Sequence, residues 1–425
     1  MRRPALQVPH GHACAAAGPA GRLARHRWPR LLGALVVCLL ALLAVACTSQ
    51  GGRQATATSR QPSAGPTQRD YWPTAGWRTA APGDEGMDPA VVADLDRQVP
   101  DQYPQVRSLL VVRHGYLVYE RYWQGFDAAD GHEIHSVTKS VISALVGIAL
   151  GEHRLQGLDQ TVGELLAAHL PRHADPRLAA VTVRQLLTMT GGLPGDDRST
   201  GGDARLSTRL FRSRDWLRHI LGRPLTAEPG TTWAYSNASS HLLSAIVADA
   251  TGQSTLAFAR ARLFKPLGIR SDNASEPTIL TWPPSPAQNK AYEQAAVAWP
   301  KDPRGYHFGA GWLRLPARDL AKFGYLYLNG GRWDTTQVVP AEYVRASTQP
   351  HSHPPQLGPD EGYGYQWWTT SVNLHASFVA AGFGGQRIQV MPDLDLVVVI
   401  TADAAQERFD AGSLVGQTVV PAVSA

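Results

Sequence analysis

The sequence predicts a mixed α+β fold, in which an antiparallel sheet formed by the N- and C-terminal segments holds an inserted helical region. Two β-rich runs, residues 108–113 and 116–122, flank His114-Gly115, and such runs around a short glycine turn predict a hairpin. Further runs of strand character lie near the C-terminus, at residues 363–369, 385–390 and 394–401. Between the two sets, residues of about 150–300 have the pattern of helices and long loops.

The first 47 residues are predicted to be an export signal. Three arginines precede an uncharged run over residues 31–46, which is shorter than the roughly 20 residues that a membrane-spanning helix needs. The run ends in small residues before Cys47 and resembles the lipobox of bacterial lipoproteins, although Ala44 stands where leucine is commonest. We therefore expect export to the cell surface or periplasmic side and membrane attachment through lipidated Cys47. The alternative is ordinary cleavage or an uncleaved anchor.

The charge of the chain is concentrated in this leader. Residues 1–46 carry six arginines and no acid, and subtracting these six from the net charge of +5 leaves −1. The basic pI is therefore no indication of a nucleic-acid partner. Cys47 is the only cysteine after residue 46, so we expect no intramolecular disulfide and no cysteine metal cluster in the mature chain. Residues 48–69 are rich in Ser, Thr, Gly, Gln and Pro, and they predict a flexible linker before a domain at 70–425.

Local signals place the elements of this domain in order. Asp88-Pro89 is typical of a helix start and predicts a first helix over residues 91–95. Asp393 to Asp395 predicts the turn between the last two strands. Apolar residues at helical spacing predict further helices at residues 141–150, 183–189, 242–250 and 317–328.

The helix predicted at 141–150 begins with residues that suit an activated nucleophile. It is apolar on nearly every face, and such helices are normally buried. Ser136 lies at its entrance, near the positive end of the helix dipole, and Lys139 follows one turn later on the same face. Burial would disfavour the charged form of this lysine and make it a proton acceptor for the serine. The alternative is a helix N-cap followed by a solvated lysine, but the chain has only five lysines, so chance matches to Ser-x-x-Lys are few.

Two downstream segments are candidate partners of Ser136. Tyr235-Ser236-Asn237 lies in a predicted loop just before a helix, and alone it is more typical of a turn tyrosine with a helix-capping asparagine than of a catalytic motif. Residues 380–386 contain three glycines before a strand, where the backbone can approach a ligand closely or form a bulge. His132-Glu133-Ile134-His135 lacks the His-Glu-x-x-His spacing of zinc sites and is predicted to be a loop.

Together and in this order, the three segments resemble the serine β-lactamase and penicillin-binding superfamily, whose motifs are S-x-x-K, S-D-N or its tyrosine variant, and K-T-G. The tyrosine points to the branch of class C β-lactamases, D,D-peptidases, esterases and 6-aminohexanoate-dimer hydrolases. The resemblance covers about residues 75–403 and implies the β-lactamase/transpeptidase-like fold. It also implies a serine hydrolase that works without a metal or cofactor.

The resemblance assigns a role to each motif residue. Ser136 would attack a carbonyl and become acylated, and Lys139 and Tyr235 would share the proton transfers, with the general base left open. Asn237 would hold Lys139 and the substrate. The backbone N–H groups of Ser136 and Phe383, or of Gly384 in a shifted register, would form the oxyanion hole beside Gly382.

One departure from the family pattern bears on the substrate. Ala380 stands two places before Gly382, where relatives that bind β-lactams or peptide termini carry Lys or His, so a substrate carboxylate would lose its cation unless Arg387 replaces it. A small-molecule ester, amide or peptide-like substrate with an uncharged acyl side is therefore favoured. Trp367 and Trp368 are candidates for an apolar pocket, with at least one of them in the core. The alternatives are a β-lactamase or cell-wall D,D-carboxypeptidase, and a non-catalytic binding or sensing domain of the same fold.

Overall fold

Strands near both ends of the chain and helices between them make up the computed structural model. The structure describes residues 69–404 and 409–423, so the predicted export signal, Cys47 and residues 48–68 of the predicted linker lie outside the described residues. Among the described residues, no helix combines the length and the apolar character needed to cross a membrane.

Within these residues the strands are β1 (Val106–Arg113), β2 (Tyr116–Tyr122), β3 (Gly131–Glu133), β4 (Arg314–Pro316), β5 (Arg332–Trp333), β6 (Thr336–Gln337), β7 (Gly362–Tyr363), β8 (Trp368–Val372), β9 (His375–Gly382), β10 (Gln386–Met391) and β11 (Leu396–Ala402). The α-helices are α1 (Pro89–Gln102), α2 (Val137–Gly151), α3 (Val162–Leu165), α4 (Val183–Leu187), α5 (Arg205–Phe211), α6 (Trp216–Leu221), α7 (Asn237–Thr251), α8 (Thr255–Ala259), α9 (Pro286–Glu293), α10 (Ala317–Leu328), α11 (Ala341–Ser347) and α12 (Ala411–Leu414).

Seven strands form one antiparallel sheet in the order β2-β1-β11-β10-β9-β8-β7. The predicted hairpin is confirmed, because β1 and β2 pair around His114-Gly115. The N-terminal hairpin joins the C-terminal strands through β1 and β11, where Val111 lies opposite Val398. The sheet is therefore built from the two ends of the domain, and the helices α3 to α9 are inserted between them, as the sequence predicted.

Both faces of the sheet centre are buried, which explains why its strands are apolar runs and not alternating patterns. Leu109 and Val111 belong to the core shared with α1 and α12, whereas Leu110 and Val112 belong to the core shared with α2 and α10. Every residue of β11 is buried. Helix α2 fits the same core, because all of residues 137–149 are buried, as its apolar sequence predicted.

The prediction of a single strand over residues 363–369 is wrong. The segment is divided into β7 and β8 by a tight turn, in which Gln366 has a φ of 61°. The Gln366 side chain accepts a hydrogen bond from Ser240 (2.7 Å) and donates one to the Leu187 carbonyl (2.9 Å). The Gln366 backbone carbonyl accepts a hydrogen bond from the Ser140 hydroxyl (2.7 Å). These contacts to α2, α4 and α7 fix the turn. Strand β9, which precedes the glycine segment, was not predicted as a separate strand.

Candidate active site

Ser136 lies at the N-terminal entrance of α2, in the N-cap position. Its hydroxyl makes no capping hydrogen bond, so it remains available to other partners. The Lys139 amine donates to the Ser136 Oγ atom at 3.0 Å. Helical spacing therefore brings the two residues together at the mouth of a buried helix, where the dipole favours negative charge.

The surroundings of the Lys139 amine determine how it can act. Lys139 is 1 % exposed, and its Nζ atom contacts three oxygens: Asn237 Oδ1 at 2.7 Å, the Ala310 carbonyl at 2.9 Å and Ser136 Oγ. Asn237 Oδ1 and the carbonyl can only accept, so they take two of the amine hydrogens. The ammonium form donates its third hydrogen to Ser136 Oγ. In the neutral amine the lone pair takes that place, where it can accept the serine proton. This is the geometry of a proton acceptor.

Burial shifts the pKa values of the two candidate bases, Lys139 and Tyr235, in opposite directions. Desolvation lowers the pKa of Lys139 to about 7, against a partial offset from the negative charges of Asp196 and Asp197. Desolvation also raises the pKa of Tyr235 well above its usual value, and the hydrogen bond with Ser136 offsets only part of that rise. The neutral amine is thus accessible near neutral pH, whereas the phenol keeps its proton.

Tyr235 is fixed by stacking as well as by its backbone. Its ring lies parallel to that of Trp368, at 5.8 Å between centroids, and the Tyr363 ring meets it edge-on at 6.3 Å. The Lys139 Nζ atom lies 4.7 Å from the Tyr235 ring centroid. Trp368 therefore borders the site, while Trp367 is fully buried in the core, so the two tryptophans divide as the sequence suggested.

Asp196 holds the backbone of Asn237 by a hydrogen bond, a role that the sequence did not predict. Its Oδ1 atom accepts the Asn237 backbone N–H at 2.8 Å, and its own N–H donates to the Tyr235 carbonyl at 3.1 Å. The carboxyl is buried, and its other oxygen has no partner among the described residues. Burial raises the pKa of the Asp196 carboxyl. No motif marked this loop aspartate, and only the fold brings it under the second motif.

The glycine segment meets the start of α2 at the end of β9. A methyl group at Gly382 would lie 2.4 Å from the Ile134 carbonyl oxygen. The backbone at this glycine therefore approaches the segment just before Ser136 closely. The Phe383 ring packs edge-on against His135, at 5.8 Å between centroids. Gly384 has a φ of 77°, a conformation that side chains disfavour. Ser136, Gly382, Phe383 and Gly384 line one cleft together with Tyr235.

This cleft has a volume of about 270 Å³. Its charged lining residues are Asp197, Arg387 and Asp410. Ala380 is buried and does not line the cleft, so its methyl group supplies neither charge nor hydrogen bond there. Arg387 borders the cleft beside Asp410. Burial lowers the pKa of Arg387 to about 10, against a partial offset from the negative charge of Asp410, so the group remains protonated at neutral pH.

The histidine-rich segment before Ser136 differs from its prediction. His132 and Glu133 belong to the short strand β3, which pairs with β4, and not to a loop. The strand forms because the backbone at Glu133 has a partner at Arg314, far along the chain. In the part of the chain that the structure describes, no three His, Cys, Asp or Glu side chains converge in a way that could hold a metal ion.

Known proteins similar to this chain include hydrolases. The chain is 34% identical to esterase EstB of Burkholderia gladioli over 206 residues, which are 43% of this chain and 52% of that esterase. It therefore spans only about half the length of EstB. It is 26% identical to the 6-aminohexanoate-dimer hydrolase of Paenarthrobacter ureafaciens over 309 residues, covering 69% of this chain and 71% of that hydrolase.

A solved structure and a family model extend the comparison to the fold. EstCE1, described as a hydrolase with promiscuous acyltransferase activity, has the same fold with a TM-score of 0.61 at 20% identity, covering 79% of this chain and 98% of EstCE1. The beta-lactamase family model matches residues 93–415, a span that includes Ser136, Lys139, Tyr235 and the glycine segment. The chain therefore belongs to the beta-lactamase family, as its motifs predicted.

Proposed function

We propose that the protein is a serine hydrolase that cleaves an ester or amide bond through an acyl intermediate on Ser136. The observation that carries the proposal is the buried Lys139 amine, which contacts Asn237, Ala310 and the Ser136 hydroxyl at 2.7–3.0 Å. An amine in this position has no evident structural purpose that an apolar side chain would not serve better. The esterase and hydrolase relatives support the same class of reaction.

The proposed reaction follows from the contacts. As Ser136 Oγ bonds to the substrate carbonyl carbon, its proton passes to the neutral Lys139 amine, and the carbonyl oxygen becomes negative. The Ser136 N–H and one N–H of the Phe383–Gly384 segment would stabilise that oxygen. The bond to the leaving alcohol or amine then breaks, and that group takes a proton from the Lys139–Tyr235 pair. Water releases the acid in a second, equivalent cycle.

The opposite pKa shifts favour different roles for the two groups. Lys139 would be the base, since its neutral form is accessible near pH 7. Tyr235 would remain protonated and would donate to the leaving group or relay a proton to it, because its burial disfavours the phenolate. We therefore expect kcat/KM to rise with pH through about 7 as Lys139 loses its proton.

Replacing Asp196 with asparagine tests this assignment of the base. The amide keeps an oxygen for the Asn237 N–H but removes the negative charge that raises the pKa of Lys139. We expect the acidic limb of the kcat/KM profile to move to lower pH, by roughly one unit. Asp196→Glu, which keeps the charge, serves as the control. A limb that stays in place or moves to higher pH in Asp196→Asn would contradict the assignment.

Replacing Gly382 with alanine tests the contact between the glycine segment and the nucleophile. The added methyl group would collide with the Ile134 carbonyl and force β9 away from Ser136. We expect kcat/KM to fall about 10²-fold, and the free energy of unfolding to fall by about 1–3 kcal/mol. Ester hydrolysis measures kcat/KM, and thermal denaturation measures stability. Gly157→Ala is the control, because a methyl group there meets nothing within 4 Å. Equal values of kcat/KM and stability in Gly382→Ala and Gly157→Ala would contradict the expected contact.

Turnover of simple substrates tests the proposal as a whole. The full chain, Ser136→Ala and Ser143→Ala are compared on p-nitrophenyl acetate and p-nitroacetanilide. Ser143 is a matched control, since it is a buried serine of α2 whose hydroxyl contacts Tyr343 instead of Lys139. Release of nitrophenol or nitroaniline that is lost only in Ser136→Ala is expected. No release above that of Ser136→Ala on either substrate would favour the non-catalytic binding domain.

Arg387 favours a second candidate, a β-lactamase or D,D-carboxypeptidase whose substrate carries a carboxylate. Arg387 borders the cleft that contains Ser136, and its Nε atom donates to the Gln389 side chain at 2.7 Å. A carboxylate in the cleft could form a charge-assisted hydrogen bond with it. Covalent labelling by penicillin that is slower in Arg387→Gln would support this candidate. Absence of labelling together with ester turnover would leave the esterase or amidase activity.

We also propose that the protein is exported and attached to the membrane through a lipid on Cys47. The support is the sequence alone: an uncharged run that ends in small residues before the only cysteine after residue 46. The mass of the mature protein tests the proposal. An N-terminal diacylglyceryl-cysteine, lost with membrane attachment in Cys47→Ser, is the expected result. A mature chain that starts elsewhere without a lipid would refute it.

A further inference from the structure

Three half-buried aromatic side chains, Phe211, Trp282 and Trp312, form a stacked group that we term the aromatic shelf. The Trp282 and Trp312 rings stack at 5.4 Å with an interplanar angle of 15°. The Phe211 ring lies 4.6 Å from Trp282 and 4.9 Å from Trp312. Each of the three residues is partly exposed to solvent. Such a contiguous aromatic surface is costly to leave in water and often marks a binding site.

The shelf is joined to the catalytic residues on two sides. Trp312 lies two residues after Ala310, whose carbonyl accepts a hydrogen bond from Lys139. The N–H of the residue after Trp312, Leu313, donates to Thr138 Oγ1 at 3.4 Å. Phe211 lies one helical turn after Ser207, whose Oγ atom accepts from Asn237 Nδ2 at 3.4 Å. The segments that hold the lysine and the asparagine therefore also carry the shelf.

The backbone at Trp312 is unusual for a bulky residue. Its φ is 64°, in the left-handed region that side chains other than those of Asn, Asp and Gly seldom adopt. Such a conformation persists only where its surroundings enforce it, and it is commonest at functional sites. In this conformation the indole packs on Trp282 and Phe211, while the backbone of the next residue contacts Thr138 of α2 and the Ile134 N–H.

The shelf has a rigid back and an apolar crevice beside it. Trp216 and Phe308 pack against it from the core, at 5.3 Å and 5.5 Å from the Phe211 ring, and both are buried. Trp282 and Trp312 also line a crevice with Ile279, Tyr292 and three prolines. A ring or alkyl chain that lay on the shelf would therefore find apolar surface on more than one side.

We propose that the aromatic shelf binds an aromatic or long apolar group of the substrate, and thereby selects substrates that carry one close to the scissile bond. The inference rests on the proposed hydrolase function and deepens it. Stacking on the Trp282 and Trp312 rings would hold this group of the substrate. Its binding would also remove apolar surface of the aromatic shelf from contact with water. The shelf carries no charged side chain of its own, so an anionic group would find no counter-ion on it.

Selectivity between matched esters tests the proposal in the full chain. One arm varies the acyl side, p-nitrophenyl acetate against p-nitrophenyl phenylacetate, and the other varies the alcohol, ethyl acetate against 2-phenylethyl acetate. The wild type should prefer the aromatic member of at least one pair, by roughly tenfold in kcat/KM. Trp282→Ala and Phe211→Ala, which lie on different segments, should each lower that ratio several-fold. The arm that responds identifies the side of the substrate that the shelf holds.

Controls separate the shelf from folding and from the function. Trp123→Ala removes another half-buried tryptophan, remote in sequence from the shelf, and should leave the ratio as in the wild type. No preference in either arm, or a ratio unchanged in both shelf variants, would overturn the proposal while ester turnover itself stood. If none of the four esters were hydrolysed, the hydrolase function would fail instead. The shelf would then be judged by saturable quenching of tryptophan fluorescence with 4-phenyl-2-butanone: quenching weakened in Phe211→Ala would support binding, and no quenching would refute it.

Discussion

Lys139→Met is expected to lower kcat for ester hydrolysis by about 10³- to 10⁴-fold without unfolding the protein. Methionine fills a similar volume but has no group that can accept the serine proton. The fold should tolerate it, because a buried amine is costly and an apolar replacement removes that cost. The change leaves Asn237 Oδ1 and the Ala310 carbonyl without their donor, which costs about 1–3 kcal/mol for each group that stays dry.

The chain contains a matched control for this substitution. Lys322 is also buried, at 5 % exposure, and its amine donates to the Gly268 carbonyl at 3.0 Å and pairs with Asp319. It lies on α10, and neither of these two contacts involves Ser136. Lys322→Met should lower the melting temperature but leave kcat of the folded protein near that of the wild type. Lys139→Met that kept more than a tenth of the wild-type kcat would contradict the role of Lys139 as base.

Tyr235→Phe is expected to lower kcat by about 10²- to 10³-fold for esters of poor leaving groups, and much less for nitrophenyl esters. The ring would stay stacked on Trp368, so only the hydroxyl that faces Ser136 is lost. A nitrophenolate leaves without a proton, whereas an alkoxide needs one. The size of the loss should therefore grow with the pKa of the leaving alcohol, which is measured with a series of acetate esters.

The neighbouring Tyr363 supplies the control for Tyr235→Phe. It is buried, and it packs edge-on against both Tyr235 and Trp368. Tyr363→Phe should change kcat little and equally for all leaving groups. A loss in Tyr235→Phe that was the same for nitrophenyl and alkyl esters would assign the hydroxyl to positioning of Ser136 and not to proton donation.

Local signals predicted those parts of the fold that depend on neighbouring residues. Helix α10 has the bounds predicted for it, because its apolar period and the Asn329-Gly330-Gly331 end lie within one short stretch. The β1–β2 hairpin follows from a turn of two residues. Ser136 and Lys139 meet because they are one helical turn apart. These features need no knowledge of the distant chain.

Features that depend on distant contacts were missed or mistaken. Asp196 reaches Asn237 only because the loop after α4 folds beneath α7. The Ala310 carbonyl contacts Lys139 across 171 residues, and a backbone acceptor leaves no mark in the sequence. The strand pattern at 363–369 was overridden by the hydrogen bonds of Gln366 to three helices. In each case the deciding partner is remote in sequence, where composition and period carry no information.

The intact mass of the protein after brief exposure to p-nitrophenyl acetate shows whether Ser136 becomes acylated. Quenching in acid preserves an ester on Ser136, and Ser136→Ala is treated in parallel. We expect an acetyl adduct in the wild type, formed with a burst of nitrophenol and decaying as the ester is consumed, and no adduct in Ser136→Ala. An adduct of equal amount in Ser136→Ala, or turnover of the ester in the wild type with no adduct at any time, would contradict this expectation.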